Sequence, residues 1–308
     1  MELRQLVYIV SIAEEQSISK AAEKLYMTQS ALNQQLLKLE RELGVPLFNR
    51  FKHTMIPTYA GSIYLETARQ MMAMKEEAYK VIHDIADMKK GEISISYTPE
   101  RGAAMFASIY PEFHNKYPDI VFKIAEARVK KAEQLLSQGN VRLAFIAHTE
   151  YKPQFEYFPI GEELLVLALP ATHRLAHLAG KRSYETFPNF DLSLLKDDKF
   201  ILMTHETRFR DMIDDIFAEY QIKPKILFES TSSITVFNMV CSQVAPVFLP
   251  QSYVDPNAPV VYFSIGSNAS WMRSIAYRRG TYLCTAEKEF MELARKYSSV
   301  PVRQQITA

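Results

Sequence analysis

Thr28, Gln29, Ser30, Asn33 and Gln34 crowd five hydroxyl or amide side chains into one short segment. A helix begun at Thr28 would carry Thr28 and Gln29 at its N-terminal tip and Ser30, Asn33 and Gln34 on its exposed side. Gln and Asn amides can bond two atoms of adenine in the major groove, and hydroxyls can bond bases or phosphates. A helix N-terminus itself attracts phosphate. A second polar set lies far along the chain. Thr231, Ser232 and Ser233 precede an apolar helical run, where free backbone N–H groups can hold a carboxylate. Together with Arg101 and Arg128 they would suit a small organic anion, while Glu100 and Glu126 leave the charge of such a ligand open.

The elements that must position the first set are legible. Leu32, Leu36, Leu39 and Leu43 form one apolar stripe behind the polar face, Thr28 can cap the helix, and Gly44 stops it. Ile18, Ala21, Ala22 and Leu25 give a preceding short helix one apolar side, with two alanines that allow close approach. Leu3 to Glu15 reads as a third helix with Leu3, Leu6, Val7, Val10 and Ala13 on its inner face. This spacing fits a helix-turn-helix with Thr28 to Leu43 as recognition helix. It also fits a helical hairpin whose polar face is merely solvated.

With the residues that follow, the chain resembles the LysR-type transcriptional regulators over its first ninety or so residues. The resemblance is carried by Ser17 to Ala22, Leu25, Thr28 to Leu32, Leu39-Glu40, Leu43 to Phe48, Arg50, Thr58 and Ala60-Gly61. It implies an all-α winged helix-turn-helix over residues 1–58, with Arg50 to Thr58 as the wing beside the minor groove. The expected DNA-binding residues are Ser17, Ser19, Lys20, Thr28, Gln29, Ser30, Asn33, Gln34, Arg50, His53 and Thr58. Asn33, His53 and Pro57 depart from the Ser, Arg and Leu common in the family. Residues 1–58 hold seven Lys or Arg against six Asp or Glu, a net charge of +1. Affinity is therefore expected to come from local contacts and from pairing two domains.

Thr58 to Lys90 contains no proline and has its one glycine, Gly61, near the start. At ~1.5 Å per residue it would make a rod of roughly 50 Å. Leu65, Ala68, Met72, Tyr79, Ile82 and Ala86, with Lys75 as the polar exception, form a heptad seam. The expected linker helix spans 59–90, and the resemblance implies that it pairs with a second copy to make a homodimer or homotetramer.

From Gly91 onward strands and helices alternate, which predicts α/β architecture with parallel sheets and a ligand site beyond the strand ends. The resemblance, weaker here, implies an effector domain over 91–308 like a periplasmic binding protein. Subdomain I would cover 91–161 and 266–308, and subdomain II 162–265. Arg142 stands where the family often has Asp, and Gln243 and Ala245 stand at a Gly-x-Gly. Strand ends nominate Thr98, Glu100, Arg101, Arg128, His148, Thr149, Thr204, His205, Ser232 and Ser233 as effector-binding residues.

The chain has 308 residues, 23% of them charged and 48% hydrophobic, as in an ordinary soluble protein. No run of eighteen apolar residues predicts a membrane helix, and the N-terminus reads as an amphipathic helix, not a signal peptide. Cys241 and Cys284 are too few for a disulfide framework and suit a reducing cytoplasm. Phosphate loops, nucleophile elbows and HExxH are missing, so no enzyme, cofactor or metal is expected. The function expected is a sequence-specific transcriptional regulator controlled by a small-molecule effector, with double-stranded DNA and RNA polymerase as partners and no membrane. The alternatives are a small-molecule binding protein whose N-terminal segment only dimerises, and a redox sensor using Cys241 and Cys284.

Overall fold

The computed structural model describes residues 3–51, 54–85, 90–179, 187–205, 207–266 and 269–298. The chain divides into two units. One is Met1–Met88, which takes in Ser137–Asn140, and the other is Lys89–Leu136 with Val141–Ala308. Among the described residues no helix is long and apolar enough to cross a membrane.

The first unit begins with helices α1 (Leu3–Glu15), α2 (Ile18–Lys24) and α3 (Gln29–Leu43). A hairpin follows, β1 (Phe48–Phe51) paired antiparallel with β2 (Thr54–Pro57), and then the long helix α4 (Tyr59–Ile85). One apolar core joins them, built on Leu6, Ile9, Ile12, Ala21, Ala22, Leu32, Leu36, Leu39, Leu47, Met55, Leu65 and Ala68. Leu6 and Val10 are buried and Ala13 packs against the same core as the sequence pattern expected, but Ile9 and Ile12 are buried as well while Val7 is only half-buried, so the inner face of α1 is shifted slightly from the expected one. Ser17 accepts from Lys20 N and Thr28 from Ala31 N as N-caps, and Gly44 ends α3 at φ 72°. Glu40 Oε1 accepts from Leu47 N at 2.7 Å and Phe48 N at 3.3 Å, fixing the entry to the hairpin. Thr58 donates to Pro46 O and accepts from Gly61 N. A Cβ on Gly61 would lie 2.0 Å from the Leu47 carbonyl oxygen, so only glycine lets α4 pass this close.

Two expectations for the long helix need correction. Lys90 and Gly91 do not end it but open a strand, because their backbone pairs in parallel with Asp119 and Ile120. Leu65 and Ala68 are not free for a partner helix, since the first unit's own core has buried them. Tyr79 and Ile82 stay 52% and 58% exposed, and Lys75 Nζ lies 5.6 Å from the Tyr79 ring centre. Ala86 lies outside the described residues.

The second unit runs β3 (Lys90–Tyr97), α5 (Arg101–Lys116), β4 (Asp119–Glu126), α6 (Val129–Ser137), β5 (Leu143–His148) and β6 (Phe155–Pro170). It continues with β7 (Lys199–Met203), α7 (Arg208–Glu219), β8 (Lys225–Ser230), α8 (Ser233–Cys241), β9 (Val247–Pro250), β10 (Val260–Ser264), β11 (Ser270–Arg278) and α9 (Thr285–Tyr297). The strand order is β4-β3-β5-β11-β6-β9-β7-β8, with β10 also against β6. The expected all-parallel sheets are corrected to mixed ones. β3 pairs in parallel with β4 and β5, and β7 with β8 and β9, whereas β6, β10 and β11 pair antiparallel throughout. Of the antiparallel strands, β6 and β11 are the ones that run between the two halves, and an antiparallel pair needs no crossover helix.

Each half has its own core. Ile95, Ile109, Phe113, Phe145 and Phe290 fill one face of the first half, and Ala132, Leu136, Ile146 and Phe155 the other. In the second half Leu167, Phe200, Phe217, Phe248 and Trp271 pack on one face and Val166, Ile201, Phe237 and Leu249 on the other. β6 serves both halves. Its register against β11 slips at Ile160, where Pro159 faces Ser274 and Gly161 faces Arg273, a bulge at the crossing point. Arg142 donates to both Glu287 carboxylate oxygens, at 2.6 and 3.1 Å, and ties β5 to the capped start of α9.

Candidate nucleic-acid interface and ligand cleft

On the first unit, Thr28, Gln29, Ser30 and Gln34 are exposed and Asn33 is half-buried, as the polar face of α3 requires. Ser19, at the start of α2, donates to Gln29 Oε1 at 3.0 Å, and Arg50 on β1 donates to Asn33 Oδ1 at 2.9 Å. Asn33 therefore keeps its amide N–H groups for other partners. Lys20 and Arg50 are exposed, and Ser17 and Thr58 are half-buried capping groups. His53 lies outside the described residues. Lys24 bonds Glu14 and Glu15, both at 3.0 Å, which raises its pKa and leaves it within the protein's own charge balance.

In the second unit a cavity of about 290 Å³ lies where the two halves meet. Thr98, Glu100 and Arg101 reach it from the turn after β3, Arg128 from the turn before α6, His205 from beyond β7, and Ser233 from the start of α8. Apolar Met105, Phe145, Ile160, Met203 and Phe209 line it as well, together with further charged groups that include Lys130, Lys152 and Asp211. Gly102 belongs to the same wall. A Cβ there would lie 2.7 Å from Tyr97 Cβ, so glycine lets α5 start directly against the end of β3.

The polar groups of this wall are largely engaged with one another. Arg101 bonds Glu163, which is 3% exposed, and Arg273 Nε lies 3.8 Å from the same carboxylate. Glu163 also accepts from Ser252 N at 3.2 Å. Burial strips the Arg101 guanidinium of water and Arg273 repels it, which together hold its pKa down to about 10. Its face lies 5.7 Å from the Phe209 ring centre, and Phe209 packs on Trp271 at 4.7 Å. Lys152 is paired with Glu133 at 2.6 Å.

Four nominated residues fall outside the lining. His148 is buried, with Nε2 2.8 Å from Ser274 Oγ and its ring between Tyr151 and Tyr157. Thr149 points to solvent. Thr204 holds the turn after β7 through its backbone, with Thr207 Oγ1 donating to its carbonyl. Ser232 caps α8 and donates to Glu100 Oε1 at 2.6 Å. Gln243 and Ala245, which stand at the family's Gly-x-Gly, do not line the cavity. Gln243 takes φ 62° and instead bonds Thr172 and the Pro259 carbonyl, stapling two loops. Sequence reasoning missed Arg273 and Ser274, which enter from β11, and Glu163 on β6, which is outside the lining but pairs with Arg101. Cys241 and Cys284 are thiols half-buried in opposite halves of the unit, at the end of α8 and the cap of α9.

Comparison with known proteins follows the same division. The family described as bacterial regulatory helix-turn-helix protein, lysR family, matches residues 3–62, and the LysR substrate binding domain matches residues 86–299. The Hca operon transcriptional activator HcaR of Escherichia coli K12 is 26% identical over 290 residues, 91% of this chain and 93% of HcaR. Among solved structures, a full-length cysteine-to-aspartate variant of OxyR from Pseudomonas aeruginosa aligns with a TM-score of 0.73 at 24% identity, covering 96% of this chain and 98% of that one. CbnR, solved in complex with its target DNA, aligns with a TM-score of 0.59 at 21% identity, over 96% of this chain and 99% of CbnR. Both structures show the shared fold.

Proposed function

The chain belongs to the LysR family of DNA-binding transcriptional regulators with an effector-binding domain, and from that premise we propose which residues read DNA and where the effector binds. Gln29, Ser30, Asn33 and Gln34 read base edges in the major groove, while Ser19, Lys20 and Arg50 hold phosphates. The effector sits in the cavity between the two halves of the second unit. The observation that carries this reading is the cavity itself, with charged and apolar groups from both halves around one space. A ligand touching both halves can shift their equilibrium by its difference in affinity for the two arrangements.

The test uses Trp271, the one tryptophan of the chain, which packs on the cavity residue Phe209. Metabolites are screened by the change in its fluorescence, and the operator footprint is mapped with and without each hit. Filling the cavity with Met105→Trp should abolish the footprint change and leave basal operator binding intact. A footprint change that survives in the filled variant would put the effector elsewhere.

We further propose that two copies pair through the exposed end of α4, as a dimer or a dimer of dimers. Ile82→Glu should shift sedimentation toward the monomer and weaken operator binding, because two half-sites share the affinity. An unchanged dimer would reject this seam. A regulator of this kind works beside the chromosome, in the cytoplasm, and RNA polymerase is the partner its role calls for.

A further inference from the structure

We propose that the effector is a small carboxylate with an apolar body, its carboxylate taken up by Arg101 and Arg273 in competition with Glu163. The inference rests on the cleft being the effector site. It adds the class of ligand and the groups that receive its charge.

The cavity is lined by five Lys or Arg side chains and by three Asp or Glu. Glu163, bonded to Arg101 from outside the lining, brings the anions to four, which leaves one positive charge over. The shortage of anions is sharpest at Arg101 and Arg273. Lys152 and Arg128 have partners of their own, and Lys130 is exposed, where water and salt screen it. Arg101 and Arg273 are only 16% and 18% exposed, and they depend on one carboxylate that is itself 3% exposed. Burial lowers the pKa of both guanidiniums, so both gain from a further anion.

Unused donors point the same way. Arg101 donates to Glu163, and Arg273 donates to the Ser298 carbonyl at 2.8 Å. Arg101 Nε and Arg273 Nε are buried and make no hydrogen bond. Buried donors without acceptors are costly, and a carboxylate offers a guanidinium fork two acceptors in one plane. Met105, Phe145, Met203 and Phe209 give the same space apolar walls. A dry cavity of ~150 Å³ holds benzene, so about 290 Å³ has room for a ring of that size with a carboxylate attached. Glu163 also accepts from Ser252 N, in the second half, at 3.2 Å. A ligand that draws Arg101, in the first half, away from Glu163 therefore alters a link between the halves.

Cyclohexanecarboxylate, cyclohexanecarboxamide and cyclohexylmethylamine, which share a ring and differ in charge, test the idea. Each is titrated into the full-length protein at constant ionic strength and followed by calorimetry. The carboxylate should bind saturably, and the amide and amine at least about tenfold more weakly. Glu163→Gln removes the competing charge and should bind the carboxylate about tenfold more tightly. A cluster that only holds the fold together would be loosened by this change and bind no better. Arg273→Lys keeps the charge, loses the planar fork, and should bind about tenfold more weakly. No binding of the carboxylate overturns the proposal, as does equal binding of the amide or an unchanged affinity in either variant. If Glu163→Gln does not fold, the wild-type series and Arg273→Lys decide the matter. Carboxylate binding that survives in the cavity-filled Met105→Trp would sink the cleft reading itself. Binding lost there but indifferent to charge would sink this inference alone.

Discussion

The polar groups on α3 and those in the cleft are both hydrogen-bonded, but on different terms. Gln29 and Asn33 each take one bond, from Ser19 and Arg50, at or near the surface, where water can replace it. Arg101 hydrogen-bonds Glu163 and Arg273 forms an ion pair with the same carboxylate, with most of their surface out of water. DNA can therefore recruit the first set by exchanging weak surface bonds, with no rearrangement of the core. On the proposed reading, a ligand recruits the second set by displacing Glu163 from its two guanidiniums or by taking up Arg101 Nε and Arg273 Nε, which hold no hydrogen bond of their own. If the cleft is the effector site and α3 the reading helix, as proposed, coupling between binding and conformational change belongs to the cleft, and the face of α3 can stay rigid.

Removing one partner of the buried cluster should have the largest effect. Glu163→Ala leaves two guanidiniums facing each other without their carboxylate, at a cost of about 3–5 kcal/mol in the second unit. Denaturant unfolding followed at Trp271 reads this, and a loss under about 1 kcal/mol would erase the contrast between cleft and surface. Gln29→Ala should cost about 1–3 kcal/mol on the specific site and little on random DNA. Equal losses on both would make Gln29 a backbone contact. Arg50→Ala should weaken all sequences alike and reduce the slope of log affinity against log salt by about 1. An unchanged slope would confine Arg50 to orienting Asn33. Smallest of all, Lys24→Ala should change the stability of the first unit by ~0.2–1 kcal/mol, since both its ion pairs are solvated. A larger loss would show that surface pairs here matter as much to stability as those of the cleft.

The same contrast explains what could be read in advance. The face of α3 follows from helical periodicity between residues a few positions apart, so Gln29, Asn33 and the stripe of Leu32, Leu36 and Leu39 were visible. Thr98, Arg101 and Arg128 were reachable because each follows or precedes a recognisable strand. Glu163 and Arg273 were not, because they meet Arg101 through antiparallel pairing between distant segments. The first half of β6, Phe155 to Glu163, also escaped notice, since Pro159, Gly161 and two adjacent glutamates interrupt any strand-like alternation. Ser232 was nominated as a ligand contact, and it serves as the cap of α8 while bonding Glu100. The departure at Arg142 had its explanation at Glu287, on the last helix.

That last helix has a bearing on the order in which the protein comes into being. Phe290 on α9 fills the core around Ile95 and Phe113, so the first half of the second unit is built from both ends of its segment, with the other half inserted between. Residues that complete the core of the first unit, up to Ala68 and Met72, have all left the ribosome long before Phe290 is made. At ~5–20 residues per second the interval is on the order of ten seconds or more. For that time a nascent chain holds every residue of the helix-turn-helix core while one wall of the cleft still waits for its closing helix.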